Sequence, residues 1–230
     1  MHSTMFQTSI ETFCNEEQLK KWLPLCRNLD IIGCYAQTEM GHGSDVSSLE
    51  TTATFDAATD EFVLHTPNLT ATKWWPGDMG RFANHALVFA RLIIEDEGTK
   101  NDYGVMPFIV QIRDRKTHKH MPGVKCGEMG PKFGYNSKDN GWMTLDHVRI
   151  PRDNMPMRFV SVDREGTFSI EADTRLIYST MLKTRMQIAS AGKWVSLLTL
   201  TIGLRYSAVR RQFKNVSGEK QETVLLDYQT

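Results

Sequence analysis

About three quarters of the way along, the chain changes its hydrophobic period, and that change limits the folds open to it. Over 31–160 the apolar residues come in short runs broken by turn-forming residues. From 174 to 213 they recur every three or four residues, with no proline. Alternation points side chains to opposite faces of a strand, whereas a 3.6-residue period gathers them on one face of a helix. The sequence therefore predicts strands in the middle and one or two long helices at the end, which excludes an all-α or an all-β chain.

In the middle region, 31–37 is a short apolar run, 51–55 and 61–65 flank 56–60 as a hairpin, and 86–94 and 105–112 are further apolar runs. Residues 142–150 alternate, with Trp142, Thr144, Asp146 and Val148 on one side and Met143, Leu145, His147 and Arg149 on the other. Such spacing predicts an antiparallel sandwich or barrel. The loops at 38–50, 76–83, 95–104 and 113–141 are long and carry glycine, and long irregular loops in compact domains tend to be functional. Residues 1–30 read as helical, with Leu19, Trp22 and Leu23 on one face, Asn15 as N-cap and Glu16 and Glu17 in the first turn. Pro24 should distort or end that helix. A block this short must pack on something else. In the last region Trp194, Leu197, Leu198, Thr201, Leu204 and Ala208 fall at helical spacing, with Gly192 and Gly203 as interruptions or points of close helix approach. The expected division is 1–30, 31–160 and 161–230.

Of 230 residues, 40% are apolar and 23% charged, which is globular rather than disordered. The 27 basic and 27 acidic residues cancel, which speaks against nucleic-acid binding through overall charge. The balance is uneven, however: between Arg175 and Lys220 nine basic residues accompany a single acidic one, Glu219. That stretch is either a solvated helix face or a surface for the phosphates of a nucleotide cofactor or a CoA thioester. Mean hydropathy is −0.37, and no uncharged apolar run approaches the ~20 residues that span a bilayer. The first residues lack the basic and apolar regions of a secretory signal. Cys14, Cys26, Cys34 and Cys126 form no C-x-x-C pair and read as small buried hydrophobes in a reducing compartment. His118-x-His120 alternates as a metal pair does but has no third ligand, so no metal is expected. Glu95-Asp96-Glu97 reads as a solvated turn.

The chemistry is concentrated in two loops. Gln37-Thr38-Glu39-Met40-Gly41-His42-Gly43-Ser44-Asp45 follows a strand, and its glycines allow backbone N–H groups close to a ligand while Thr38 and Ser44 offer short donors. It lacks the G-K-[ST] end of a phosphate-binding loop and the third glycine of a dinucleotide fingerprint, so spacing alone supports no more than a glycine-rich turn. His42 within it suits a local hydrogen bond better than proton transfer. In Lys73-Trp74-Trp75-Pro76-Gly77-Asp78-Met79-Gly80, adjacent tryptophans on a strand would point to opposite sides. They are either a structural pair or, for one of them, an aromatic wall for a planar ring.

These loops also carry a family resemblance. Cys34-Tyr35-Ala36-Gln37-Thr38-Glu39-Met40-Gly41-His42-Gly43-Ser44 resembles the flavin loop of acyl-CoA oxidases. Leu49-Glu50-Thr51-Thr52-Ala53-Thr54-Phe55, Thr72-Lys73-Trp74-Trp75-Pro76-Gly77, Gly130-Pro131-Lys132-Phe133-Gly134-Tyr135, Asp139-Asn140-Gly141, Arg149-Ile150-Pro151-Arg152-Asp153-Asn154-Met155 and Arg205-Tyr206-Ser207-Ala208-Val209-Arg210-Arg211-Gln212 continue it in order. The resemblance implies an α+β fold in which 1–30 is the end of an N-terminal helical domain. In it 31–160 is an antiparallel β-domain that binds flavin and acyl-CoA, and 161–230 begins a C-terminal helical domain. The wider acyl-CoA dehydrogenase superfamily shares this layout.

By the same resemblance the cofactor is FAD. Tyr35, Ala36, Gln37 and Thr38 would line the isoalloxazine, with Thr38 bonding to it. Gly43 and Ser44 would lie near the flavin or the thioester, Trp75 beside the flavin, and Gly77 at its N5 edge, leaving space for oxygen. Arg210 and Phe213 match a segment that in relatives reaches the FAD of a neighbouring subunit; here it runs into Lys214 and Asn215 where many relatives have glycine. Arg185 would lie near the CoA nucleotide. The implied activity is oxidation of fatty acyl-CoA to the trans-2-enoyl product with O₂ as acceptor and hydrogen peroxide as product. The setting would be peroxisomal β-oxidation by a homodimer, without nucleic acid or a membrane span. The family's base is a glutamate expected beyond Thr230; Glu39 does not substitute for it, and Glu128 and Asp139 have no supporting pattern. A dehydrogenase with a protein electron acceptor and a binding paralogue without the base are the alternatives.

Overall fold

The computed structural model describes residues 1–96, 98–173, 179–214 and 221–228. The chain divides into two compact units, Met1–Thr180 and Met181–Thr230.

The first unit begins with a wide helical turn, His2–Phe6, then α1 (Gln7–Phe13) and α2 (Glu16–Arg27). Asn15 caps α2: its side chain accepts from Gln18 N at 2.9 Å, and the Gln18 side chain accepts from Asn15 N at 3.2 Å, a reciprocal box. The buried face is Gln18, Trp22 and Cys26, not the predicted Leu19, Trp22 and Leu23. Gln18 tolerates burial because its amide donates to Asp153 O at 2.9 Å and Met155 O at 2.6 Å and accepts from Met157 N at 2.9 Å. Pro24 does not end the helix. It lies on the exposed side, and so does Lys20, whose carbonyl loses its N–H partner to the proline and is left to water. The helices pack on the strands that follow. His2 Nδ1 accepts from Gly33 N at 3.0 Å, and a Cβ on Gly33 would lie 2.1 Å from the Phe6 ring, so only glycine fits there.

Eleven strands follow: β1 (Gly33–Ala36), β2 (Thr52–Asp56), β3 (Glu61–His65), β4 (Lys73–Gly77), β5 (His85–Asp96), β6 (Thr99–Gln111), β7 (Val124–Glu128), β8 (Asn140–Leu145), β9 (Val148–Pro151), β10 (Val160–Val162) and β11 (Phe168–Ile170). The α+β class holds. The main sheet runs β1-β5-β2-β3-β9 with β6 also on β5; β4-β8-β7 form a second sheet and β10-β11 a third. The main sheet is mixed rather than wholly antiparallel, because β1 and β2 lie in tandem along β5 and both run parallel to it. Ala86, Leu87, Val88, Phe89 and Ala90 of β5 are all fully buried, the continuous apolar pattern of a strand covered on both faces. Around it Phe62 meets Phe108 at 5.0 Å and Phe55 at 5.2 Å, and Tyr35 meets Phe89 at 4.9 Å between ring centres.

Three expectations change. The hairpin of 51–65 forms as read, but 95–104 is not a loop: β5 and β6 pair to Asp96 and Thr99, with Gly98 in the left-handed region; Glu97 lies outside the described residues. The loop at 113–141 contains β7, too short to announce itself, with Val124 and Cys126 turned inward. The alternating run of 142–150 is two strands in two sheets. Asp146 and His147 make the turn between β8 and β9, and His147 at φ 50° resets the alternation so that Leu145 and Val148 are both buried.

Among the described residues the second unit holds α3 (Ser179–Val209) and a short 3-10 turn, Leu225–Asp227. After it Gln212 N donates to Thr223 O at 3.0 Å and Thr223 N to Phe213 O at 2.8 Å, so 210–213 pairs with 223–225. Among the described residues, no helix is long and apolar enough to cross a membrane. Thr174, Arg175, Asn215, Glu219 and Lys220 lie outside the described residues.

Candidate functional site

β1 carries Tyr35 and Ala36, both buried, and delivers Gln37, Thr38 and Glu39 to the next segment. There the chain meets β4: Trp74 N donates to Thr38 O at 2.9 Å, and Glu39 bridges Lys73 in antiparallel fashion. The two loops singled out in the sequence are therefore hydrogen-bonded neighbours.

Beneath the junction lies an ion pair with both side chains fully buried, Lys73 Nζ to Glu39 Oε1 at 2.8 Å. The ammonium also donates to Gln37 O at 3.2 Å and Phe89 O at 2.6 Å, so its three protons are used. The carboxylate accepts from Glu50 N at 2.7 Å, Thr51 N at 3.0 Å and Thr51 Oγ1 at 2.6 Å. Burial pushes the Glu39 carboxyl towards protonation. The Lys73 charge and these donors outweigh it and hold the group below the usual carboxylate range. Burial acts the other way on Lys73, pushing it down to about 8 against the pull of Glu39. The pair is charged at neutral pH, and Glu39 is committed to structure. The sequence reading excluded Glu39 as a base but missed this pairing. Its only trace in the sequence is two opposite charges, each beside a segment otherwise apolar or small.

Between its feet at Glu39 and at Glu50 and Thr51, the loop folds back on the chain before β4. Met40 N donates to Thr72 O and Gly41 N to Thr70 O, both at 2.9 Å. A Cβ on Gly41 would lie 2.9 Å from Thr70 Cβ, so the close approach falls at Gly41; Gly43 has open space around it. His42 Nε2 stands 3.9 Å from Glu50 Oε2, a local partner. Asp45 accepts from Ser47 and Ser48, each at 2.6 Å, which shapes the far side. Gly43 and Ser44 are exposed at the tip, and Thr38 is half-buried. The hydroxyls of Thr38 and Ser44 make no hydrogen bond to described residues.

Trp75 stands at φ 80°, a strained conformation for an aromatic residue, and the β4–β8 register breaks around it between Trp74 and Gly77. Its carbonyl accepts from Asn140 Nδ2 at 2.9 Å, while 52% of the residue is exposed. The neighbour Trp74 is half-buried opposite Trp142, so neither tryptophan fills the deep core. Gly77 is buried, and a Cβ there would lie 2.5 Å from Met1 Cγ and 3.0 Å from Lys138 Cε. Lys138 and the terminal ammonium both pair with Asp78. Phe133 and Tyr135, in the connection preceding β8, are fully and almost fully exposed.

Arg185, Arg210 and Phe213 belong to the second unit. Phe213 takes the left-handed conformation, φ 59°, and is exposed. His118 and His120 go separate ways, to Arg81 O at 2.6 Å and to Cys126 Sγ at 3.4 Å. A cluster the sequence did not reveal joins His65, Asp146 and His147 at the β8–β9 turn, with ligand-type atoms within 4.8 Å of one another. Its rings stack at 4.1 Å, and His147 Nδ1 engages Asp146 Oδ1 at 2.7 Å. A cleft of about 490 Å³ bordered by Gln111, Met121, Val148 and Asn154 contains none of the residues expected to bind the cofactor or substrate, and Asp146 and His147 of the cluster lie on its edge.

Comparison with known proteins follows the same order along the chain. Residues 34–148 match the acyl-CoA dehydrogenase middle domain, 1–32 the acyl-coenzyme A oxidase N-terminal family and 178–230 the acyl-CoA oxidase C-alpha1 domain. Peroxisomal acyl-coenzyme A oxidase 1 of Arabidopsis thaliana is 49% identical over 234 residues, covering 100% of this chain and 34% of the relative. The solved structure of Arabidopsis thaliana acyl-CoA oxidase 1 superposes with a TM-score of 0.90 at 48% identity, over 99% of this chain and 34% of that one. Acyl-CoA oxidase-2 of Caenorhabditis elegans, solved with FAD, ascaroside-CoA and ATP, gives 0.91 at 46% identity, over 99% of this chain and 34% of that one. The chain thus spans about a third of the length of these relatives.

Proposed function

The chain belongs to the acyl-CoA oxidase family within the acyl-CoA dehydrogenase superfamily, and from that premise we propose that it is the flavin-binding part of an FAD-dependent oxidase of fatty acyl-CoA. The observation that carries this is the junction of the Thr38 loop with the Trp74–Trp75 corner. One exposed indole, that of Trp75, and one uncommitted hydroxyl, that of Thr38, stand there on backbone already fixed by hydrogen bonds. A planar polar ring needs a flat apolar wall and a few fixed donors, so the residues present fit a flavin.

On this reading Tyr35, Ala36 and Gln37 form the floor, Thr38 donates to the ring, Trp75 walls it and Gly77 closes the corner. Gly43 and Ser44 serve the flavin or the thioester from the loop tip. Arg210 and Phe213 serve the flavin of a second subunit in a homodimer, and Arg185 the CoA nucleotide; an arginine fork suits a pyrophosphate. When bound, FAD supplies the two-electron acceptor that α,β-desaturation requires, with O₂ as the final acceptor and hydrogen peroxide as product. Donors near the thioester carbonyl would acidify the α-carbon, and Ser44 is the donor assigned that role on this reading. No residue described here is assigned the base. The names of the relatives support a peroxisomal setting.

The test is the visible spectrum of the purified chain with FAD, before and after anaerobic acyl-CoA, followed by peroxide assay in air. Flavin bands that shift on adding acyl-CoA are expected of the chain, and bleaching with peroxide on re-aeration is expected where the base is supplied. Bleaching without peroxide makes the protein a dehydrogenase. A chain that takes up no flavin is a binding paralogue, and the reading falls.

A further inference from the structure

We propose that Glu39 and Lys73 are positioning residues for the flavin: their buried ion pair is the clamp that sets the Thr38 loop against the Trp74–Gly77 corner. This rests on the functional reading above.

Four segments converge on the pair. Lys73 itself belongs to β4 and holds the Gln37 carbonyl at the end of β1 and the Phe89 carbonyl in β5. Glu39 holds the amides of Glu50 and Thr51, where the loop returns to β2. One carboxylate thus ties both feet of the 40–49 loop, and one ammonium ties that base to the strand bearing Trp75. Each group lies close in sequence to a residue assigned to the ring: Glu39 next to Thr38, and Lys73 two residues before Trp75.

Stability alone does not account for such a pair. Taking two charges out of water costs more than their attraction reliably returns, and apolar replacements of similar volume are often neutral or stabilising. A pair of this kind is well suited to geometry. An apolar side chain packs in several ways, whereas a three-proton donor facing three fixed acceptors has one. The junction also needs such a device, because Trp75 is held at a positive φ that relaxes unless its surroundings prevent it. The bond from Trp74 N to Thr38 O is the local hold; the ion pair fixes its register from beneath.

The experiment compares wild type with Glu39→Gln/Lys73→Met, which removes both charges together and leaves no buried ion unpaired. Thermal melting and far-UV circular dichroism report the fold. FAD titration and the visible circular dichroism of bound flavin report the geometry. The expected result is a folded variant whose FAD dissociation constant rises about tenfold or more and whose flavin dichroism changes shape. A folded variant with wild-type affinity and dichroism overturns the clamp and leaves the functional reading standing. Absence of flavin uptake by the wild type overturns both. Should the double variant not fold, Glu39→Asp keeps the charge and shortens the reach by one methylene. It is expected to melt near wild type with a severalfold weaker flavin and altered dichroism, and unaltered dichroism there also overturns the clamp.

Discussion

β5 and α3 are alike in sequence and opposite in setting. Both are apolar on all sides rather than on one stripe. In β5 the run from Ala86 to Ala90 is wholly out of water, with β1 and β2 along one edge, β6 along the other and aromatic side chains packed around it. In α3 Trp194 is 64% exposed and Leu200 61%, and Leu197, Leu198, Ile202 and Leu204 are exposed too. A helix that is hydrophobic all round is built for burial. Hydrophobic content thus states how much cover an element needs, but not which part of the molecule supplies it. For β5 the cover lies within its own unit. For α3 it does not lie among the described residues of Met181–Thr230.

The strongest way to break this contrast is to truncate one side chain from each. Phe89→Ala removes a fully buried ring in contact with Tyr35 and should cost about 3–5 kcal/mol by urea unfolding. Leu200→Ala should stay within about 0.5 kcal/mol. A cost for Leu200→Ala that matches a core deletion would show that α3 is covered in solution, and repeating the measurement at several protein concentrations would tell whether a second copy covers it.

Acid sharpens the contrast next, because His85, a buried histidine, belongs to the first unit. Burial, aided by Arg115, pushes His85 down to about 4 from 6.5. The folded state binds the proton less readily than the unfolded state. The stability it contributes is therefore complete above pH 6.5 and is lost as pH falls towards 4, on the order of 3 kcal/mol. Urea midpoints across this window should fall for wild type and fall less steeply for His85→Gln; parallel slopes would refute the assignment. The thiols report on the same unit, since all four cysteines lie in it and are buried and free. Burial pushes Cys14 up to about 12 and Cys26 to about 11, and raises Cys34 and Cys126 as well. Alkylation at pH 7.5 should run more than about a hundredfold slower in the folded chain than in urea.

What the sequence made legible follows from how local each signal is. The hairpin of β2 and β3, the N-cap at Asn15 and the helical period of α3 depend on neighbours within a few residues, and each could be read, though whether the last stretch was one helix or two could not. The split of 142–150 could not. A single left-handed residue, His147, moves the chain from one sheet to another, and nothing in the alternation reveals it. Parallel pairing of β1 and β2 along β5 was hidden for a similar reason, since it depends on which edge the return strands find. At the site the two loops stood out by composition and resemblance. What joins them, an ion pair between residues 34 apart with its other ends on Gln37, Glu50, Thr51 and Phe89, is a tertiary fact.

The smallest effect tests why one short helix holds while the long one lacks cover. α2 has two supports: the box at Asn15, and the buried Gln18 anchored to the 153–157 backbone. Asn15→Ala removes the acceptor for Gln18 N and should cost about 1 kcal/mol, whereas Asn15→Gly should cost only a few tenths, because glycine leaves the freed amide open to water. Asn15→Asp should match wild type or exceed it, given the helix dipole. If Asn15→Ala costs nothing measurable, packing alone holds α2, and the need for tertiary cover that separates β5 from α3 extends to short helices. If it costs the full amount, local capping carries part of the load, and α3 is set apart by its apolar surface rather than by being a helix.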